Sequence, residues 1–265
     1  MRFGDEGRSV NSPSSENKAK GIDVRPDEKK RLKTVGMDIL EASADELAST
    51  LAGVEIVIQD AADKAGVKRF YPSEFGMHHL YTDEKGRGVL HPTWNMKEEA
   101  NREALHHPAI AAGRMTYTLI GCGDFYNQDR EPVWCPWTQR DAPSYTLHIL
   151  GDADAKVDFT HIDDLAAFLV ATIDNPGVAE NKSLNVVSDR ISYNELAALL
   201  EMYSKKKIVK MVKGKSAFPD DFWMLVKGMQ GLGRFWRPPG EIHNDLFPEM
   251  KVTTFERYFR SRFFS

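Results

Sequence analysis

The stretch from Gly53 to Gly76 constrains the fold more than any other part of the sequence. It opens with the run Val54–Ile58, which is rich in β-branched residues and therefore typical of a strand. Asp60–Ala65 follows as a short predicted helix, and Gly66 stands where helices commonly end. A second strand is predicted over Val67–Tyr71. Strand, helix and strand in this order form the unit of a parallel α/β sheet, so we expect that fold class.

The spacing inside this stretch conflicts with such a unit. A parallel crossover needs about a dozen residues or more, whereas only Gln59–Gly66 lies between the two predicted strands. Either the two segments are not parallel neighbours, or the chain lacks a piece that such units normally contain. Ligands of parallel sheets bind beyond the carboxyl ends of the strands. The loop Pro72–Gly76 follows a predicted strand and is therefore the first place to look for function.

Composition restricts the class of protein. A chain of 265 residues is long enough for one large domain or two small ones. The net charge of −4 is the opposite of the basic excess of nucleic-acid-binding proteins, so no nucleic-acid partner is expected. Two cysteines suit a reducing compartment and predict a cytoplasmic protein without a disulfide framework. The longest apolar segment, Leu165–Ile173, is too short to span a membrane.

Further along the chain, apolar periodicity predicts alternating strands and helices. Strands are expected over Met115–Ile120, Tyr145–Leu150, Lys156–Thr160 and Leu184–Val187. Helices are expected over Thr93–His106 and Ile162–Asp174, after the capping box of Ser192 and Glu195, and over Thr254–Phe264. The N-terminal segment Met1–Lys20 has neither an apolar strand nor a glycine-rich turn, so no phosphate-binding loop is predicted there.

Lys97 is the candidate catalytic residue of this sequence. It shares one face of the predicted helix Thr93–His106 with Ala100, Asn101 and Ala104. A lysine on a small, apolar face in the first turn of a helix has its pKa lowered by partial burial and by the helix dipole, which makes it usable near neutral pH. The alternative is a lysine whose stem packs while its ammonium group reaches water.

Other patterns admit a structural interpretation. Tyr203 and Lys207 match the tyrosine–lysine spacing of short-chain dehydrogenases, but they stand at a helix end away from the ligand-side loops. His161, Asp163 and Asp164 suit a helix N-terminus better than a metal site. Two aromatic stretches have two interpretations each: Phe125–Tyr145 forms a pocket wall or buried packing, and Phe218–Pro248 forms a lid or wall over the site or an interaction surface.

Several motifs together resemble the NmrA-like/isoflavone reductase-like family. They are VKRFYPSEFG at Val67–Gly76, WNMKEEANREAL around Lys97, the segment Tyr117–Phe125, and KVDFTHIDDLAAFLVA within Asp152–Ala171. The resemblance implies an atypical short-chain dehydrogenase fold. Residues 1–125 would be an incomplete NAD(P)-binding Rossmann-like domain, and residues 126–265 a smaller substrate-binding part interleaved with the last Rossmann strands.

The resemblance also implies an NADP- or NAD-dependent oxidoreductase that reduces a small aromatic or carbonyl compound, with no metal. It places the cofactor at Pro72, Ser73, Glu74, Phe75 and Lys97, with Lys97 also catalytic. Substrate-binding positions follow the next strand, and they are Gly121, Cys122, Gly123 and Phe125.

This sequence departs from the family pattern in two places. The first strand with its glycine-rich turn is missing, and so are the loop and half-helix expected between Ile58 and Ala61. Both pieces normally contact the dinucleotide, which counts against cofactor binding. Two further interpretations therefore stand beside the reductase: a non-catalytic regulator that senses NAD(P) or binds a protein partner, and an inactive truncated copy.

Overall fold

A computed structural model describes residues 54–76, 92–129, 133–212 and 221–264. All of them belong to one compact unit, Ala52–Ser265. The expectations for Met1–Lys20 and for an exposed loop over Met77–His91 fall outside the described residues. None of the helices in the described segments is long and apolar enough to cross a membrane.

The described elements alternate along the chain. The helices are, in chain order, α1 (Val54–Lys64), α2 (Pro92–Leu105), α3 (Pro108–Ala111), α4 (Ile162–Asp174), α5 (Pro176–Ala179), α6 (Tyr193–Ser204), α7 (Asp221–Gly231) and α8 (Phe255–Phe264). The strands are β1 (Arg69–Phe70), β2 (Thr116–Cys122), β3 (Asp124–Phe125), β4 (Ser144–Ile149), β5 (Lys156–Thr160), β6 (Lys182–Val186), β7 (Asp189–Ser192) and β8 (Lys207–Val212). Short 3₁₀ turns lie at Pro136–Thr138, Pro239–Glu241 and Asn244–Leu246.

The strands form parallel and mixed sheets. In the first sheet β2 lies between β1 and β6 and runs parallel to both. In the second, β5 pairs in parallel with β3, with Phe159 opposite Asp124, and antiparallel with β7. Strands β4 and β8 form a parallel pair. A single residue, Gly123, separates β2 from β3, so the chain passes from the first sheet to the second at that point.

The predicted strand Val54–Ile58 is wrong, because these residues open helix α1. No glycine or proline interrupts the chain from Val54 to Lys64, and strand propensity is too weak to resist an uninterrupted helix that packs on a neighbour. Gln59 is fully buried and donates to the carbonyl oxygen of Ala104 in α2 at 3.0 Å. Because Val54–Ile58 is helical, these residues are not the first strand of a crossover to β1. The short spacing between the two predicted strands is therefore no longer a conflict.

The helix end in this stretch is confirmed. Gly66 adopts a φ of +75°, a conformation that glycine favours. The amide of Val67 donates to the carbonyl of Ala62 at 2.9 Å, and that of Gly66 to the carbonyl of Asp63 at 2.9 Å. These two bonds satisfy carbonyls that the end of the helix leaves without a partner. The chain then turns directly into β1.

Downstream, the sequence-based elements agree with the structure within a few residues. Helix α4 and strand β5 have the predicted bounds, and the capping box of Ser192 and Glu195 opens α6. His161 caps α4, accepting from the amide of Asp163. Tyr203 is buried and hydrogen-bonded to Glu256 at 2.8 Å, which gives it a packing role.

Two hydrophobic cores hold these elements. The larger core packs β4, β5, α6 and α8 together, with Leu147, Phe159, Leu196, Leu200 and Phe259 among its members. The smaller core packs β2 and β6 against α4 and includes Ile120, Leu165, Phe168, Leu184 and Val186. Helix α8 docks on the larger core as predicted, since Phe255 and Phe259 are fully buried.

The C-terminal segment runs along the free side of β6. His243 exchanges hydrogen bonds with the backbone of Asn185, and the side-chain amide of Asn244 bonds to the backbone of Val187 on both its oxygen and its nitrogen. A sheet edge left open would be a site for unwanted pairing. This segment therefore covers the edge and brings residues near position 237 to the carboxyl ends of β1 and β2.

Candidate functional site

The loop Pro72–Gly76 continues alongside β2 after β1 has ended. The amide of Phe75 donates to the carbonyl of Ile120 at 3.0 Å, and the amide of Cys122 donates to the carbonyl of Gly76 at 3.3 Å. Phe75 adopts a φ of 39°, which is uncommon for a residue other than glycine. The loop is thus fixed against the carboxyl end of β2, where a parallel sheet binds its ligands.

Helix α2 holds this loop through Glu74. The Glu74 side chain is buried, and its Oε2 accepts a hydrogen bond of 2.6 Å from Nδ2 of Asn101. Oδ1 of Asn101 is buried and has no hydrogen-bond partner among the described residues. A buried polar atom of this kind costs stability unless a ligand satisfies it. The Glu74–Asn101 contact therefore places an available acceptor next to the loop.

Lys97 lies on the same face of α2 as Asn101, as predicted, and is half-buried. It is the sixth residue of α2 and not in the first turn, so the helix-dipole part of the prediction is wrong: α2 begins at Pro92. Its charge acts on the thiol of Cys122. The lysine is thus close enough to the carboxyl end of β2 for its charge to be felt there.

The small residues at the end of β2 bring parts of this chain close together. A Cβ on Gly121 would lie 2.4 Å from Oδ1 of Asn185 and 2.6 Å from Nη2 of Arg237. A Cβ on Gly123 would lie 2.4 Å from the backbone oxygen of Asp158 in β5. Close packing therefore explains why both positions are glycine. The predicted contacts of Gly121, Gly123 and half-buried Phe125 with substrate stay predictions.

Cys122 lies at the centre of the candidate site, although its side chain is fully buried in the smaller core. Burial raises the pKa of its thiol to about 12, so it remains protonated and unreactive at neutral pH. Four charged side chains act on this thiol, two cationic and two anionic: Arg237, Lys97, Asp124 and Glu74. Opposite charges therefore converge at the carboxyl end of β2.

Arg237 is fully buried and covers this end of the sheet. Its Nη2 donates to the carbonyl of Gly76 at 2.7 Å, and its Nη1 donates to the carbonyl of Cys122 at 3.2 Å. Its backbone amide donates to Oδ2 of Asp158 at 2.8 Å. The guanidinium group thereby ties the C-terminal segment to the loop and to β2.

Asp124 is a carboxylate of the candidate site whose pKa is raised by its surroundings. It is half-buried, and its Oδ2 accepts a 2.7 Å hydrogen bond from Nε2 of Gln230 in α7. Burial raises the pKa of Asp124 to about 6, opposed by the charge of Lys227 and by hydrogen bonds from Gln230 and the Trp134 side chain. Burial also lowers the pKa of Lys227 to about 8, opposed by the charge of Asp124. Both groups therefore titrate close to neutral pH.

The aromatic stretch Phe125–Tyr145 contributes mainly packing. Trp134, Cys135 and Trp137 are buried in the larger core. Trp137 donates its indole hydrogen to the carbonyl of Tyr126 at 2.7 Å. Trp134 is the exception, because it also hydrogen-bonds Asp124 and thus borders the candidate site.

Sequence reasoning missed five residues that border the site. These are Asp124, Tyr193, Lys227, Gln230 and Arg237. A signal existed for two of them: Asp124 is a charged residue directly after an apolar strand, and Lys227 interrupts the apolar run of α7. Within the described residues, no group of three or more histidine, cysteine, aspartate or glutamate side chains is arranged to hold a metal ion.

Comparisons with known proteins show the family to which this chain belongs. The sequence model described as the NmrA-like family matches residues 33–225. An isoflavone reductase homolog of Zea mays is 28% identical over 238 residues, covering 81% of this chain and 74% of that protein. A phenylcoumaran benzylic ether reductase of Pinus taeda is 26% identical over 242 residues, covering 82% of this chain and 74% of that protein.

Solved structures support the fold class. The binary complex of leucoanthocyanidin reductase with NADPH from Vitis vinifera matches with a TM-score of 0.59 and 20% identity, covering 82% of this chain and 76% of that chain. A likeness at this level of identity speaks to fold. The predicted Rossmann-like α/β architecture is confirmed by it together with the parallel pairing of β1, β2 and β6.

Proposed function

Because this chain belongs to the NmrA-like family, we propose that it is an NAD(P)H-dependent oxidoreductase that reduces a small aromatic or carbonyl compound. One observation carries the proposal: the loop Pro72–Gly76 and the guanidinium group of Arg237 are fixed at the carboxyl end of β2, where the charges of Glu74, Lys97 and Asp124 also act on Cys122. A parallel sheet binds its ligands at that edge. The named relatives, an isoflavone reductase homolog and a phenylcoumaran benzylic ether reductase, support this reaction class.

The residues at this edge fit the nicotinamide half of the cofactor. The loop Pro72–Gly76 is fixed beside β2, and the buried Oδ1 of Asn101 has no partner among the described residues. An amide oxygen of this kind accepts a hydrogen bond from a carboxamide or a ribose hydroxyl. Residues Pro72, Ser73, Glu74 and Phe75 would form the wall against the nicotinamide, and Lys97 would hold the ribose or nicotinamide region.

The reaction needs a hydride and a proton. NADPH, held by the loop Pro72–Phe75 and Lys97, would supply the hydride. The ammonium group of Lys97 gives its proton to the substrate oxygen as the new C–H bond forms, so that a carbonyl becomes an alcohol. Gly121, Gly123 and Phe125 border the substrate, whereas the side chain of Cys122 is buried and points away from it into the smaller core. Arg237 keeps the loop and β2 together during this step.

Cofactor binding is the first test. The purified, folded protein is titrated with NADPH and with NADH by calorimetry, and micromolar affinity for one of them is expected. Lys97→Ala should weaken that affinity at least about tenfold, since it removes a charge-assisted contact. Glu103→Ala is the matched control, because Glu103 lies on the exposed face of the same helix. A folded protein that binds neither cofactor contradicts the proposal.

Turnover is the second test. NADPH oxidation is followed in the presence of isoflavones, phenylcoumarans and simple aromatic ketones. Lys97→Ala should abolish turnover while Glu103→Ala retains it. A Lys97→Ala variant that reduces a substrate at the normal rate would show that the acid/base group lies elsewhere.

A second candidate function is a non-catalytic regulator that senses NAD(P) or binds a protein partner. The observation that favours it is that the side chains of Asn185 and Arg237 lie against Gly121, which leaves less room for a substrate at that position. Micromolar cofactor binding without turnover of any substrate in the panel would favour the regulator.

A further inference from the structure

A row of hydrogen bonds runs through the protein towards Asp124. Lys227 donates to the hydroxyl of Tyr193, and that hydroxyl donates to Oε1 of Gln230 at 2.8 Å. The Gln230 amide nitrogen donates to Oδ2 of Asp124 at 2.7 Å. Each bond in this donor row points the same way, from an ammonium group at one end to a carboxylate at the other.

The donor row ends at a partly exposed group. Lys227, Tyr193 and Gln230 are buried, with exposed fractions of 3%, 5% and 1%. Asp124 is half-buried and is the member of the row that reaches the surface. It directly follows Gly123 at the end of β2, and its charge acts on the thiol of Cys122 together with those of Lys97 and Glu74. The row therefore opens at the candidate site.

The charges of the donor row balance each other. A cation and an anion joined through two neutral side chains form a unit of no net charge, which the protein can bury at lower cost than either ion alone. Burial raises the pKa of Asp124 to about 6, which is still below 7. At neutral pH the carboxyl group is therefore mostly ionised and accepts hydrogen bonds. A neutral ligand with a hydrogen-bond donor complements such a unit better than an ion does.

Aromatic side chains lie at both ends of the donor row. The ammonium nitrogen of Lys227 lies 3.9 Å from the ring centroid of Trp134 and 4.6 Å from that of Tyr193. The Trp134 side chain also hydrogen-bonds Asp124, and half-buried Phe125 directly follows Asp124 in the chain. An aromatic ring next to a carboxylate suits a flat ligand that carries a hydroxyl group.

We propose that Asp124 binds a phenolic hydroxyl group of the substrate, and that Gln230, Tyr193 and Lys227 are positioning residues that fix and charge-balance its carboxylate. The inference deepens the proposed function and rests on it for the aromatic nature of the substrate. It adds a specificity: compounds with a free phenol are bound better than their methyl ethers, because a methyl ether has no hydrogen to donate.

The test compares two probes that differ in one methyl group, para-propylphenol and its methyl ether. Their binding to the whole chain is measured by ligand-detected NMR without any cofactor. The phenol should bind about tenfold more tightly than the ether, as expected for a hydrogen bond to a charged acceptor. Equal affinities, or no binding of the phenol at millimolar concentration, would overturn the proposal.

Variants locate the effect. Asp124→Asn keeps the shape of the side chain and should reduce the phenol preference to about twofold or less. Asp129→Asn is the control, because Asp129 is an exposed aspartate a few residues further on, and it should keep the full preference. Tyr193→Phe interrupts the donor row and should reduce the preference about threefold. An unchanged preference in both Asp124→Asn and Tyr193→Phe would show that the hydroxyl binds elsewhere.

These measurements separate the inference from the proposed function. Phenol preference that depends on Asp124 in a protein that binds neither NADPH nor NADH would support the binding site and contradict the reductase. Cofactor turnover with equal affinity for both probes would support the reductase and contradict the role of Asp124.

Discussion

Two aspartates on neighbouring strands, Asp158 of β5 and Asp124 of β3, bind their cationic partners in opposite ways. Asp158 is fully buried and pairs directly with Arg190, with Nε–Oδ1 and Nη2–Oδ2 distances of 2.6 and 3.1 Å. Asp124 is half-buried, and hydrogen bonds join it to Lys227 through Gln230 and Tyr193. Asp158 is therefore joined directly to its cation inside the protein, whereas Asp124 is less buried and is separated from its cation by two neutral side chains.

The difference separates a structural ion pair from a functional one. A direct bidentate pair fixes geometry, and removal of one partner leaves an uncompensated buried charge. A pair whose charges are separated by neutral side chains, as in Asp124 and Lys227, stabilises the fold less, because the charges are further apart and the carboxyl group has a raised pKa. A protein tolerates that loss where the group serves a ligand. The contrast predicts that the two aspartates respond differently to the same substitution.

The largest effect is expected for Asp158→Asn. Asp158 accepts from Arg190 through both oxygens and from the amide of Arg237. The substitution leaves the Arg190 charge without its partner and should lower the free energy of unfolding by about 3 to 5 kcal/mol. Urea unfolding measures this loss. A loss below about 1 kcal/mol would show that the direct pair is not structural.

Gly121→Ala tests the hydrogen bonds by which Arg237 ties the loop Pro72–Gly76 to β2. The new Cβ would come within 2.6 Å of Nη2 of Arg237 and displace a guanidinium group that binds the carbonyls of Gly76 and Cys122. We expect a loss of about 2 kcal/mol in urea unfolding. In the background of Arg237→Met the same substitution should cost less, because the contact with Nη2 has been removed and that with Oδ1 of Asn185, at 2.4 Å, remains. Additive losses would contradict this coupling.

Asp124→Asn should have a smaller effect that depends on pH. The folded protein raises the pKa of Asp124 from an ordinary value near 3.8 to about 6, so the folded state binds this proton more tightly than the unfolded state. The group therefore favours folding below about pH 4, and that advantage is lost as the pH rises through 6. Asparagine does not titrate.

Relative to the wild type, Asp124→Asn should therefore gain about 2 kcal/mol between pH 4 and pH 7, an order-of-magnitude figure from the pKa difference. Unfolding midpoints of both proteins across this range give the difference curve. Asp158→Asn is the comparison, since it should be the less stable protein at both pH values. A flat difference curve for Asp124→Asn would mean that the carboxyl group is not raised in pKa by the fold.

The elements that the sequence predicts correctly are those set by local signals. Helix α4, strand β5 and the capping box of α6 depend on signals within a few residues, and the predicted elements agree with the structure. The strand expected at Val54–Ile58 failed because local β-branched content did not reveal that the helix after it continues back through the same residues. Local signals thus decide an element only when its neighbours in the chain do not compete for it.

The part of the candidate site that the sequence predicts is the part whose residues are close together in the chain. The loop Pro72–Gly76 and helix α2 are close in sequence, and the Glu74–Asn101 contact spans 27 positions. The Gln230–Asp124 contact spans 106 positions. No periodicity or motif connects two polar residues at that distance, so the donor row emerges only once α7 is packed on the sheet. Its members were therefore absent from the sequence-based site.

The smallest effect is expected at an exposed ion pair on the same strand as Asp158. Lys156 binds Glu195, and both side chains are about half exposed, at 46% and 50%. Glu195 also accepts from the amide of Ser192 at 2.7 Å and closes the cap of α6. Lys156→Ala should therefore cost only about 0.5 kcal/mol in urea unfolding, since water screens the pair and the cap remains. Ser192→Ala removes the cap itself and should cost about 1 kcal/mol. If Lys156→Ala cost as much as Asp158→Asn, burial would not be what distinguishes the ion pairs of this sheet, and the contrast between Asp158 and Asp124 would need another cause.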